Sequence, residues 1–598
     1  MKDNYLFELS WEVCNKVGGI YTVITSKADL VNKEFTNYFL IGPYFEKKAK
    51  FEFQEEDAHN FNGVFEQLKN EGIICHYGKW LIKGSPKVIL IDFNGYVNFK
   101  NKIKKDLWDN YNVDSLFSQW DFEEPVIWAT AAGRLIELIR NTENKKIVLH
   151  CHEWLSGAAL LYVKSKNLNV GTVFTTHATA LGRSLCSNGF QLYDLLDNLS
   201  VEDEAKKNKI IDKHTIEKAS ALNCDIFTTV SEITAMEAEK ILERKADVIT
   251  LNGLDMDKFP SFEITSIEHQ KNRETMREFI SYYFFPNYYF NLENTLNFFI
   301  VGRYEFKNKG IDIFIKSLGK LNEIMKQENS EKNIIVFFWI PRDVLSAKYK
   351  VAKNKMNYHL LRHFIEQNSA VLNRKIIENL LQCMDQYCKI QEGNININEL
   401  FGDDFSNELR KLRLNFVTDG DPPIVTHNLA NENDDILVKS LLENGLDNKS
   451  DDKVKVIFYP VYLTGVDGLL DMEYYDCISG CHFGLFPSYY EPWGYTPLES
   501  AALGVPSLTT DLGGFGRFLL SQNQGNSGVF VLKRFKKPED EIVNEFTKIL
   551  HNYTKLSQKG RVEQKLQAKK LASLADWNEF VKLYFKSYEL ALKGVKNV

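Results

Sequence analysis

The sequence predicts two doubly wound α/β domains whose ligand-binding edges face one cleft, with a helical insertion in the second. Three observations carry this prediction. Two successive series of continuous apolar runs, most followed by helical spacing, read as parallel strands covered on both faces. Polar residues end these runs, at the carboxyl edge where such sheets bind ligands. Roughly 110 residues separate the run ending at Ile340 from the one starting at Val454, far beyond an ordinary crossover.

The totals are compatible with this plan. A prior of about 150 residues per domain would divide 598 residues into about four domains, and two large domains with an insertion fit equally well. A hydrophobic content of 44% allows sizeable cores. A net charge of −7 leaves no electrostatic footprint for nucleic acid. The nine cysteines include no Cys-x-x-Cys. The closest pairs, Cys383/Cys388 and Cys477/Cys481, fall in helical-looking stretches, so reduced thiols are expected rather than disulfides or zinc. The first residues lack an apolar signal core, and no apolar run approaches the ~18 residues of a membrane span. A soluble cytoplasmic protein is expected.

In the first series, strands are expected at residues 7–11, 38–42, 87–92, 146–152, 172–177, 226–231 and 248–253. Gly18 and Gly19 follow the first, where missing side chains let a ligand approach the backbone. They do not form a Gly-x-Gly-x-x-Gly, so a dinucleotide reading loses support. His150-Cys-His-Glu-Trp154 invites a metal reading. On a strand, 150 and 152 share a face while 151 and 153 take the other, so the four do not converge and no metal is expected. His177 ends the next run with Arg183 six residues on, a pairing that suits sugar hydroxyls and phosphate. Asp255-x-Asp257 is explained by an Asn-Gly turn and is set aside. Residues 260–294 read as a crossover between domains.

The second series runs at 296–303, 333–340, 454–460, 482–487, 505–510 and 528–532. Arg303 and Lys309 share the loop after its first strand, where two cations can neutralise a departing diphosphate. Residues 350–390 carry helical spacing, and 431–453 read as an acidic loop. The stretch Phe486-Pro-Ser-Tyr-Tyr-Glu-Pro-Trp-Gly-Tyr-Thr-Pro-Leu-Glu-Ser500 passes from strand to loop to helix. Thr496 is expected as N-cap, Pro497 at the first helical position and Glu499 at the third, a capping box. Glu491 and Glu499 flank this dipole end, and Trp493, Gly494 and Tyr495 between them suit a sugar-phosphate cradle. Lys555 to Lys570 reads as a basic helical stretch with a solvated face, and a final helix as core packing.

Two such domains facing a cleft are the GT-B plan of glycosyltransferases. The segments at 16–21, 77–82, 152–155, 174–179, 227–231, 302–310, 422–428 and, most specifically, 486–499 resemble glycogen synthases of the fungal and animal type, glycosyltransferase family three. The resemblance covers nearly the whole chain. It implies Rossmann-like domains at 1–290 (acceptor side) and 291–570 (nucleotide-sugar side). It also implies an insertion at 341–453 used for homotetramer contacts, and a terminal helix, 571–598, packing back on the first domain. It implies retaining, metal-independent transfer of glucose from UDP-glucose to the non-reducing end of an α-1,4-glucan such as glycogen, without a cofactor. Glu491 would lie against the donor glucose and Glu499 would hold the ribose. Arg303 and Lys309 would hold the diphosphate, helped by backbone N–H groups of Trp493, Gly494, Tyr495 and Thr496. His177 and Arg183 would approach on closure, Tyr474 would stack on the base, and Gly18 and Gly19 would admit the donor. Same-face attack and a covalent intermediate on Glu491 both stay open.

Two departures bear on function. The family's Arg-rich helix that binds glucose 6-phosphate here has Arg561 with Lys565, Lys569 and Lys570, which puts strong activation in doubt because Lys lacks the bidentate fork. The loop Lys16-x-Gly-Gly matches bacterial ADP-glucose enzymes, which keeps that donor as an alternative. An inactive glucan-binding scaffold is the non-enzymatic alternative.

Overall fold

The computed structural model describes residues 1–58, 60–385 and 397–596. The first sheet contains β1 (Tyr5–Leu9), β2 (Asn37–Pro43), β3 (Phe53–Glu55), β4 (Ile74–Trp80), β5 (Lys87–Asp92), β6 (Ile147–His152), β7 (Gly171–Thr176), β8 (Ile226–Thr229) and β9 (Val248–Ile249). Their order is β3-β4-β5-β2-β1-β6-β7-β8-β9, parallel from β5 to β9. β3 and β4 form an antiparallel edge absent from the sequence reading. Their residues are half-covered rather than continuously apolar, so the parallel-strand signature misses them.

The second half contains β10 (Thr295–Val301), β11 (Asn333–Trp339), β12 (Val344–Ala347), β13 (His427–Leu429), β14 (Val454–Tyr459), β15 (Phe483–Leu485), β16 (Ser507–Thr510), β17 (Asn526–Ser527) and β18 (Val529–Leu532). The main sheet runs β14-β11-β10-β15-β16-β18-β17, parallel except for β17. Strand order reverses between β1 and β6 in the first sheet and between β10 and β15 in the second. Each reversal opens a crevice at the carboxyl edge.

Three stretches differ from expectation. Residues 260–294 are mostly one helix, Phe262–Phe284, which buries Met276, Phe279, Ile280 and Tyr283 against the second sheet. Within 431–453 lies the helix Ile436–Glu443, because the Asp435 carboxylate accepts the N–H groups of Leu437 and Val438 at 3.0 and 3.2 Å. The basic stretch is helical as expected, over Gln558–Ser573, but its Ala568, Leu571 and Ala572 are buried.

The insertion holds β12 paired with β13 and the helices Tyr349–Gln367, Ser369–Asp385 and Ile397–Phe416. The last helix, Trp577–Gly594, lies on the first sheet with Trp577, Tyr584 and Tyr588 fully buried. Cys477 and Cys481 are buried free thiols; the Cys383/Cys388 pair lies outside the side chains described. Among the described residues no helix is long and apolar enough to cross a membrane.

Candidate active site

The loop after β15 enters the helix Tyr495–Ala502 through Gly494, which is the N-cap, and no side chain caps this helix. The expected capping box is therefore absent. Gly494 takes φ of 107°, a left-handed turn that glycine makes at little cost, and the helix begins before Thr496. Glu499 turns instead to Tyr474 and Tyr475, whose hydroxyls donate to it at 3.2 and 3.0 Å. The uncapped helix end, with Trp493, Gly494, Tyr495 and Thr496, lines a cavity of about 630 Å³ between the two sheets. The Trp493 ring is buried and packs on Phe515 and Phe580, so only its backbone is offered to the cleft.

On the same rim, Lys309 Nζ donates to Glu491 Oε2 at 2.6 Å, and Ser488 Oγ donates to the same oxygen at 3.3 Å. The Glu491 carbonyl accepts the Gly514 N–H at 3.2 Å and fixes the loop. Arg303 is exposed, has no ion pair among the described residues, and lines this cavity and a second one of about 480 Å³. The second cavity is walled by Tyr304, Trp339, Val461, Leu463 and Tyr474, an apolar slot beside a cation.

The opposite wall comes from the carboxyl edge of the first sheet. His177, just after β7, is 6% exposed, and burial pushes its imidazole pKa well down. Arg183 is exposed and its guanidinium lies 3.9 Å from Glu153. Glu12 accepts the N–H groups of Gly18 and Tyr21 at 2.8 and 2.9 Å, which folds the glycine loop over its carboxylate. A Cβ at Gly18 would stand 3.0 Å from Glu12 Oε1, so a side chain there would press on the carboxylate that holds the loop. Every residue expected at the site borders one of the two cavities except Lys309, bonded to Glu491, and Glu499, bonded to Tyr474.

The glycogen synthase family model matches residues 8–597. The glycogen [starch] synthase of Neurospora crassa is 36% identical over 99% of this chain and 84% of its own length. The human liver form is 36% identical over 98% and 83%, and isoform 2 of Saccharomyces cerevisiae 34% over 99% and 87%.

The chain belongs to the glycogen synthase family.

A solved catalytic domain of starch synthase IV from Arabidopsis thaliana, 14% identical and covered over 99% of both chains, aligns with a TM-score of 0.51 and shares the GT-B fold. This glycogen synthase family member is accordingly a glucosyltransferase.

Three features of the site escaped sequence reasoning. Glu153, weighed only as a metal ligand, lines the cleft with φ of 63°. It accepts the N–H groups of His177 and Ala178, both at 3.1 Å. Burial raises it to about 7 against the pull of Arg183. Glu237 joins the two walls: it accepts Thr179 N–H at 3.2 Å from one and Tyr490 OH at 2.9 Å from the other. The third is a cation cluster behind the helix Tyr495–Ala502, where the helix Gln558–Ser573 packs on it. Arg273, on the helix of the expected crossover, faces Lys565 and Arg561, and its Nε and Nη2 are buried without partners among the described residues. Burial with these two arginines pushes Lys565 down to about 7. The expected solvated face is thus packed in part, because two of its lysines lie under the helix Phe262–Phe284: Lys565 Nζ is 2.7 Å from His269 Nδ1, and Lys569 donates to Thr265 at 3.1 Å, while Lys555, Lys559 and Lys570 are exposed.

His150 and His152 do converge with a third group, Glu8 of β1, which no local spacing could reveal. The Lys27 ammonium already sits on Glu8, and Tyr588 and Thr175 hydroxyls engage His150 at 3.0 and 2.7 Å. This donor set is saturated by protons and fits a cation poorly. Asp255 and Asp257 are bridged by Lys83, at 3.2 Å each.

Proposed function

We propose that this chain transfers glucose from UDP-glucose to the non-reducing end of an α-1,4-glucan with retention and without metal. The observation that carries it is the meeting, in one cleft, of the Glu491–Lys309 pair, Arg303 and an uncapped helix end with His177 on the facing wall. Glucose lies against Glu491. The diphosphate lies on Arg303, Lys309 and the N–H groups of Gly494 to Thr496. The base enters the slot at Tyr474 and the ribose reaches Glu499. The loop Lys16-x-Gly-Gly favours ADP-glucose as the second reading. Incorporation of labelled glucose into glycogen from each donor, without metal, tests both. Faster transfer from UDP-glucose is expected; preference for ADP-glucose would overturn the donor assignment, and no incorporation from either would favour a scaffold. In the same assay, glucose 6-phosphate is expected to act modestly through Arg273, Arg561 and Lys565, since a single free fork replaces an Arg-rich helix.

The insertion leaves Met356, Leu360 and Leu414 exposed, and tetramer formation through it is part of this reading. A monomer in sedimentation velocity would refute that part.

The ribose assignment has a pH consequence. Burial raises Glu499 to about 7 despite two tyrosine donors. Ribose hydroxyls donate to the ionised form, so donor binding lowers this pKa and releases a proton. UDP affinity is therefore full above about pH 7 and falls as pH drops through it, by up to about tenfold per unit. Stability runs the other way: a raised carboxyl favours the fold at low pH and loses that contribution between the unfolded value and about 7. Calorimetric UDP binding between pH 6 and 8 checks this; a flat affinity would remove Glu499 from the ribose.

A further inference from the structure

Beneath the cleft lies a buried polar chain that the proposed chemistry does not use. Glu8 and Lys27 are both fully buried and form an ion pair. The Glu8 carboxylate also accepts Tyr38 OH at 2.5 Å and lies 2.7 Å from His152 Nε2. His152 Nδ1 in turn lies 2.9 Å from His177 Nε2. His177 borders the cleft cavity, and its Nδ1 has no partner among the described residues. The residues come from five separate elements: β1, the helix Gly19–Glu34, β2, β6 and the turn after β7.

Proton counting along this chain has one consistent solution. Burial alone would raise Glu8, but the Lys27 ammonium and the hydrogen bond from His152 hold it well below the usual carboxylate range. An ionised carboxylate can only accept, so His152 Nε2 carries a proton. The single charge of Glu8 is already matched by Lys27, and a second buried cation at His152 would stand without a counter-ion. His152 is therefore neutral and its Nδ1 is bare. A bare Nδ1 needs a donor, so His177 Nε2 carries the proton. The other nearby charges are Arg183 and Glu153 on the cleft side, with Tyr584 and Tyr588 from the last helix packed on Lys27 and His150. None bonds to either ring nitrogen of His177.

We infer that Glu8, balanced by Lys27, is a positioning residue that acts through His152 to fix His177 with a bare Nδ1 toward the cleft. His177 then accepts a hydrogen bond from a sugar hydroxyl and does not donate one. The same logic, a carboxylate setting an imidazole tautomer through its far nitrogen, operates in hydrolytic triads. Here a second imidazole relays it. The inference rests on the proposed reading of the cleft as the glucosyl site.

The test begins with imidazole nitrogen NMR of the full-length protein, His177 being assigned by difference from His177→Ala. The expected spectrum shows a neutral His177, protonated at Nε2, unchanged from pH 6 to 9. Protonation at Nδ1, or a charged ring near pH 7, would overturn the inference whatever the variants do. Glu8→Gln/Lys27→Met keeps the site neutral and replaces the obligatory acceptor by an amide that can donate to His152, and Glu8→Leu/Lys27→Met removes the acceptor outright; loss of the fixed His177 tautomer is expected in one or both. Where it is lost, kcat is expected to fall roughly tenfold or more, the worth of one misdirected buried hydrogen bond, with the donor KM changed less. Wild-type kcat where the tautomer is lost, or an unchanged tautomer in both variants, would overturn the role. His177→Ala separates the two failures: if it also transfers at the wild-type rate, the cleft reading falls and the inference with it.

Discussion

Glu491→Gln is expected to reduce glucosyl transfer by about a thousandfold or more while the protein stays folded. The substitution keeps shape and removes one charge at the point where Lys309 and Ser488 converge. Lys309 and Glu491 are each 23% exposed, so the pair contributes at most about 1 kcal/mol to stability, and Tm is expected to move by no more than about 2 °C. The loss falls on chemistry instead. A carboxylate against the donor glucose can stabilise positive charge growing at the sugar as its diphosphate departs, or attack it directly. An amide does neither. Both the same-face route and the covalent route therefore lose their anionic partner. Label incorporation into glycogen, with circular dichroism as the folding control, checks the result. Undiminished turnover would remove Glu491 from the site.

The legible parts of this site share one property: each is a polar residue placed just after an apolar run. Arg303, His177 and Glu491 stand at the carboxyl edges of β10, β7 and β15, so strand ends alone point to them. Glu153 has that same position, after β6, and was passed over because only metal ligation was asked of it. Glu8 carried a different signal, a charge inside a continuous apolar run. Such a charge requires a buried counter-ion, and Lys27, in the apolar face of the next helix, is that partner. The capping box failed because a local motif competed with Gly494 two residues earlier, and the left-handed glycine decided where the helix starts. Arg273 stayed hidden because its partners, Arg561 and Lys565, are nearly three hundred residues away. Parallel strands read well from sequence because burial on both faces forces continuous apolar runs; β3 and β4, covered on one side, leave no such trace.

Arg303→Ala and Lys309→Ala are each expected to lower kcat by about a hundredfold, with a smaller loss of UDP affinity. Charge on the leaving diphosphate grows as the glycosidic bond breaks, so cations at its oxygens act more strongly in the transition state than on bound donor. The two differ in what the protein lends them. Lys309 is already held by Glu491, so its removal also frees the carboxylate from its only ion pair among the described residues. Arg303 has no such partner and borders both cavities, the position from which one guanidinium can span two phosphates. Arg303→Lys keeps the charge and loses the fork, and is expected to fall between wild type and alanine. The double alanine variant is expected to lose less than the product of the two single effects, because both cations serve one leaving group. Steady-state kcat beside calorimetric UDP binding separates the terms. Weaker UDP binding with unchanged kcat would make these residues donor anchors and move the charge stabilisation to the helix end alone.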